Sequence, residues 1–135
     1  MSSVLVAVDD PDGSNAVLSV ARDVAARMST DLLALTVVPE VPTAHGGPPA
    51  VEAMLRAEDL AGMAAEQLRA LGAQSVTPVG GLGDPGPAIC EAAERAGVEL
   101  IVMGSRGHGR LVGAVLGSAA QHVTAHAPCP VLVVR

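Results

Sequence analysis

The sequence contains no lysine and no phenylalanine, tyrosine or tryptophan; its 8 basic residues are all arginine. Each absence closes off a class of function. Without lysine there is no P-loop cation, no Schiff-base amine and no lysine of the kind that phosphorylated receiver domains use. Without aromatic rings there is no platform for stacking nucleic-acid bases. Positive charge is also in short supply, with 8 basic residues against 14 acidic ones. Backbone phosphates of a nucleic acid need a basic face, so no nucleic-acid partner is expected. Cysteine is scarce too: Cys90 and Cys129 are too few for a disulfide framework and read as free thiols of a reducing compartment. No stretch approaches the roughly 20 apolar residues of a membrane span. The N-terminal MSSVLVAVDD lacks the basic and long apolar regions of a signal peptide. A soluble, cytoplasmic protein without membrane contact is the expectation.

What is present is apolar and aliphatic. Half of the 135 residues are hydrophobic and 16% are charged, enough for one compact domain over residues 1–135 without staples. Short valine-rich runs at Val4–Val8 and Leu32–Val38 suit strands covered on both faces. Between them Ser14 or Asn15 can cap a helix carrying Val17, Val20, Ala21, Val24 and Met28 at helical spacing. Residues 39–49, with four prolines, read as a surface loop. The next helix is expected over about Ala50–Leu71, with Met54, Leu60, Ala64, Leu68 and Leu71 inward and Gly72 as its stop. Ser75–Val79, interrupted by Pro78, suits a weak strand at a sheet edge. Gly80–Gly86 reads as a turn, and Pro87 as the start of a helix with Ile89, Ala92, Ala93 and Ala96 inward. Gly97 closes that helix. Leu100–Met103 is the strongest buried-strand signal. A last helix over about Ser118–His126, stopped by Pro128, leads to a final strand at Val131–Val134. Five strands alternating with four helices give a doubly wound parallel α/β sheet with helices on both faces.

In such sheets ligands lie beyond the strand carboxyl ends, where the strand order reverses. Three segments converge there: Ala7-Val8-Asp9, Thr36-Val37-Val38 and the stretch after Met103. The last of these carries the chemistry. Gly104, Gly107 and Gly117 are separated by two and nine residues, and Ser118 follows at a helix start. Glycines let a backbone approach a ligand, successive N–H groups form an anion nest, and the helix N-terminus favours phosphate. The pattern is a phosphate cradle built without lysine.

Met103-Gly104-Ser105-Arg106-Gly107, nine residues and Gly117-Ser118 resemble the nucleotide-binding signature of the universal stress protein family. The resemblance extends over Val4–Asp9 with Gly13-Ser14, Gly83-Asp84-Pro85 and the ending Ala127–Val134. It implies an adenine nucleotide alpha hydrolase-like sheet of order 3-2-1-4-5, a role in stress response or signalling, and ATP as ligand with Mg²⁺ on its phosphates. By position, Ala7, Val8 and Asp9 line the adenine and ribose side and Val37 packs on the adenine. Met103 and Gly104 floor the pocket, Arg106 and Gly107 meet the phosphates, and Gly117, Ser118 and Ala119 close the triphosphate end. It also implies a homodimer through Val131–Val134, an apolar run that needs cover at a sheet edge. Thr36 stands where the family usually has histidine, and Asp10, Pro11 and Asp12 add negative charge at the first turn.

Other chemistries fit less well. A dinucleotide fold needs its glycines after the first strand, where only Gly13 stands. A receiver needs an aspartate where Gly80-Gly81 lies. His122 and His126 have helical spacing, but Val123 replaces the glutamate of a zinc peptidase, and both read as solvated side chains. No base–nucleophile pair is evident, so any hydrolysis is expected to be slow or partner-dependent. His108 reads as a phosphate contact or shield, with general base the alternative, and Arg110 reads equally as a phosphate contact or a solvated loop charge. A homodimeric interaction scaffold that works without nucleotide is the alternative function.

Overall fold

The computed structural model describes residues 3–9, 15–40, 49–105 and 116–135. Along the chain run β1 (Ser3–Ala7), α1 (Asn15–Met28), β2 (Asp31–Val38), α2 (Pro49–Ala70) and β3 (Val76–Leu82), then α3 (Pro85–Ala96), β4 (Leu100–Gly104), α4 (Ser118–His126) and β5 (Val131–Val134). The strands form one sheet of order β3-β2-β1-β4-β5, and the pairings are parallel. This is the expected doubly wound architecture. Successive side chains of a strand face opposite ways, so the sheet has a core on each side. Val4, Val6, Leu32, Ala34, Val76 and Val102 pack with Leu18, Ala21 and Ala25 of α1 and Ala64, Ala65 and Leu68 of α2. On the other face Leu5, Leu35, Ile101 and Met103 pack with Ile89 and Ala93 of α3 and Ala120 and Val123 of α4. Each fully buried leucine or isoleucine contributes about 1.5–3 kcal/mol over its exposed form.

The helix ends follow the sequence signals. Gly72 (φ 103°) and Gly97 (φ 64°) end α2 and α3 in backbone conformations that other residues adopt poorly. Two boundaries differ from expectation. β3 does not break at Pro78 or turn at Gly80; it runs on to Leu82, pairing Thr36 with Gly80 and Val38 with Leu82. A proline is tolerated there because β3 is an edge strand, whose outward side needs no ladder partner. Gly80 serves close approach rather than a turn: a Cβ there would lie 2.9 Å from the Glu58 backbone nitrogen of α2. The turn falls instead at Gly83 (φ 108°), whose N–H donates to the Val38 carbonyl at 3.0 Å. α3 therefore begins at Pro85, not Pro87, with proline in its first turn.

α2 buries Ala64 and Leu68 as expected, but the rest of its inward face differs. Its inward stripe is mostly alanine (Ala53, Ala57, Ala61, Ala64, Ala65, with Leu68), whereas Met54 and Leu60 are half-buried and Leu71 is exposed. Small side chains let the helix approach the glycine-bearing edge strand. Met28 and Ala96, expected inward, lie exposed at the last residues of α1 and α3.

Candidate functional site

The strand order reverses between β1 and β4, which lie side by side with carboxyl ends together. β1 ends at Ala7, and the Val8 N–H still bonds the Leu35 carbonyl at 2.8 Å. Asp9 follows at a bend and is exposed. Ala7 and Val37 pack, half-buried, against the cluster on the α3/α4 face that contains buried Met103. Leu116 and Ala119, at the start of α4, join the same cluster. Residues at the strand ends and in the first turn of α4 thus pack in or against one aliphatic cluster, and Asp9 is exposed just beyond the end of β1.

Backbone bonds fix how α4 enters. Gly104 pairs with Val134. Ser105, 8% exposed, donates its N–H to the Val134 carbonyl at 2.8 Å and accepts the Gly117 N–H at 2.7 Å. The chain leaves the sheet at Ser105 and is tied back to the same residue twelve positions later. Gly117 (φ −65°, ψ 162°) occupies the cap of α4 and offers no side chain to the helix. Among the described residues no side chain caps the first-turn N–H groups, and the helix dipole favours an anion there. Gln121 steadies the approach: its side-chain amide donates to the Leu116 carbonyl at 2.8 Å and its backbone N–H to the Gly117 carbonyl at 2.9 Å. Ser118 is exposed beside this turn.

Of the candidate residues, Ala7, Val37, Met103 and Ala119 come together, with Asp9, Gly104, Gly117 and Ser118 at the same end of the sheet. Val8 differs from its partners. It is buried in the core under α1 and α2, because strand alternation turns it away, so only its backbone faces the site. Arg106, Gly107, His108, Arg110 and residues 10–14 and 41–48 lie outside the described residues. Ser105, Leu116 and Gln121 were not singled out by sequence. Thr36, on the α1/α2 side, is 1% exposed and its Oγ1 has no hydrogen-bond partner among the described residues.

Features elsewhere differ in character. His122 and His126 stack with ring centroids 4.4 Å apart, and the His126 Nδ1 lies 3.0 Å from the His122 carbonyl. Among the described residues no three His, Cys, Asp or Glu side chains gather as metal ligands, and no helix is long and apolar enough to cross a membrane. A cavity of about 500 Å³ opens at the opposite, amino end of β2, lined by Arg22, Ser29, Thr30, Asp31, Gln74 and Ser75 among others. It is remote from the glycine motif.

Comparison with known proteins gives a consistent answer. Residues 1–135 match the model of the universal stress protein family. A universal stress protein of Thermus aquaticus is 36% identical over 134 residues, covering 98% of each chain. The UspA structure from Lactobacillus plantarum superposes with a TM-score of 0.78 at 26% identity, covering 99% of this chain and 97% of that one. A universal stress protein from Archaeoglobus fulgidus, solved in complex with dAMP, has a TM-score of 0.72 at 23% identity and covers 100% of this chain and 98% of its own. At that identity the likeness speaks for the fold alone. Fold, glycine motif and sequence match agree: the chain belongs to the universal stress protein family.

Proposed function

We propose that this chain binds ATP at the carboxyl ends of β1 and β4 and serves as a nucleotide-dependent stress-response or signalling module in the cytoplasm. The observation that carries the reading is that Ala7, Val37, Met103 and Ala119, the last in the first turn of α4, share one aliphatic cluster, with no side-chain cap on that turn among the described residues. With no aromatic residue in the chain, adenine is held by aliphatic contact, and Asp9 accepts hydrogen bonds from ribose hydroxyls or the adenine amino group. Phosphates meet the N–H groups at Ser118 and Ala119, the Ser118 hydroxyl, Gly107 and Arg106. Mg²⁺ would come with the nucleotide and neutralise part of its phosphate charge. That the same fold holds dAMP in the Archaeoglobus fulgidus protein supports the class of ligand by analogy.

A second reading rests on a different element. β5 is an edge strand whose Leu132 is 37% exposed, and an apolar edge favours pairing with another copy. On that reading the chain is a homodimeric scaffold joined through Val131–Val134, and nucleotide is dispensable.

Gly117→Val separates the two. The φ and ψ of Gly117 are open to any residue, so the backbone accepts the change, and a valine at this buried cap adds bulk at the α4 N-terminus. ATP binding is expected to be lost with the circular dichroism spectrum and sedimentation coefficient unchanged. Equal affinity in the variant would show the phosphates to be misplaced. A wild-type dimer indifferent to nucleotide would favour the scaffold.

A further inference from the structure

The two cysteines lie far apart in sequence and pack against one core cluster. Cys90 is on α3 and Cys129 is in the link from α4 to β5; both are half-buried free thiols against the core cluster under α3 and α4. Helix geometry brings them to one place. α3 and α4 connect successive parallel strands across the same face, so they run in the same direction. They touch where a Cβ on Gly86 would lie 2.7 Å from the His122 Cβ. One helical turn on in each, Cys90 stands level with His126, and the chain then passes through Ala127 and Pro128 to Cys129. The Pro130 carbonyl, bonded to the Ile101 N–H at 3.0 Å, anchors that link to β4. Burial pushes both thiols up, and negative charge on Cys90 pushes Cys129 up further.

We propose that Cys90 and Cys129 form a reversible dithiol–disulfide site whose oxidant is a low-molecular-weight disulfide. In the first step the thiolate of one cysteine attacks the small disulfide, forming a mixed disulfide and releasing one small thiol. The second cysteine, as thiolate, attacks the protein sulfur of that bond and expels the other small thiol. The protein gives up two electrons and two protons, and the small disulfide is reduced to two thiols. The new bond ties α3 to the α4–β5 link and encloses β4, the whole glycine motif and α4 in one covalent loop. The inference does not depend on nucleotide binding.

The full chain, reduced and then incubated with oxidised glutathione, provides the test. The thiol titre is expected to fall from 2 to none, with a mass loss of two hydrogens, no retained glutathione and no covalent dimer. Restricting the unfolded chain by a loop of this length raises the melting temperature by roughly 10 °C, followed by circular dichroism and reversed by reductant. Cys90→Ser and Cys129→Ser, each with one thiol, are expected to keep a glutathione adduct because nothing resolves it. A wild-type protein that retains two glutathiones, forms interchain disulfides or keeps both thiols would overturn the proposal.

Discussion

Gly86→Ala tests the packing that seats α4. Two opposing effects decide its sign. Replacing glycine by alanine inside a helix is ordinarily worth about 0.5–1 kcal/mol in favour of alanine. Here the new Cβ would lie 2.7 Å from the His122 Cβ, 2.9 Å from its Cγ and 3.1 Å from its Cδ2. The nearest atom is fixed to the α4 backbone, so no rotamer change relieves it. The helix must move, and overpacking of this kind costs about 1–3 kcal/mol. The clash wins, leaving a net loss of about 1–2 kcal/mol. For a chain of this size that lowers the melting temperature by roughly 3–7 °C. Circular dichroism at 222 nm is the suitable assay, since the protein has no aromatic fluorophore. His122→Gly removes the obstructing Cβ at about 1 kcal/mol of helix propensity, and the double variant should be less destabilised than the two single changes summed. Because α4 carries the proposed phosphate turn, Gly86→Ala should also weaken ATP binding, and His122→Gly should restore part of it. A Gly86→Ala protein more stable than wild type would refute the reasoning, since propensity alone would then govern the site.

Two further predictions concern buried polar groups. Thr36→Val replaces a buried hydroxyl that has no partner among the described residues with a methyl of similar size and should stabilise the fold by about 1 kcal/mol, read as a raised urea midpoint at unchanged slope. Both thiols titrate higher in the folded state than in the unfolded one, so the folded chain holds their protons longer. The stability they contribute is complete below the unfolded thiol pKa of about 8.5 and declines as pH rises from there through the folded values. The double variant Cys90→Ala, Cys129→Ala should lose that alkaline slope in denaturant titrations; an unchanged slope would assign it to other groups.

The aliphatic runs and the glycines at 72 and 97 made the element order legible, because buried parallel strands and left-handed helix ends each demand narrow residue types. Misjudged boundaries arose where one residue type serves two physical ends. Gly80 looks like a turn former, yet it admits the backbone of α2, and only the packed structure distinguishes these uses. The alanine face of α2 was hidden for a related reason, since large side chains dominate periodicity while small ones decide how near a helix can come. At the candidate site, alternation alone could have turned Val8 away, because Val4, Val6 and Val8 share a parity. Ser105 and Leu116 were not legible, since Ser105 works through its pairing with Val134 and Leu116 through the tertiary cluster around Met103.

The central claim is that an adenine nucleotide lies between the β1 and β4 ends and the first turn of α4. Calorimetric titration of the full chain with Mg-ATP tests it most directly, alongside the near-ultraviolet spectrum of the freshly purified protein. A chain without aromatic side chains absorbs almost nothing there, so bound adenine dominates the spectrum. The account predicts saturable binding of one nucleotide per chain, or an adenine spectrum from ligand already in place. No heat on titration and no nucleotide absorbance would contradict it.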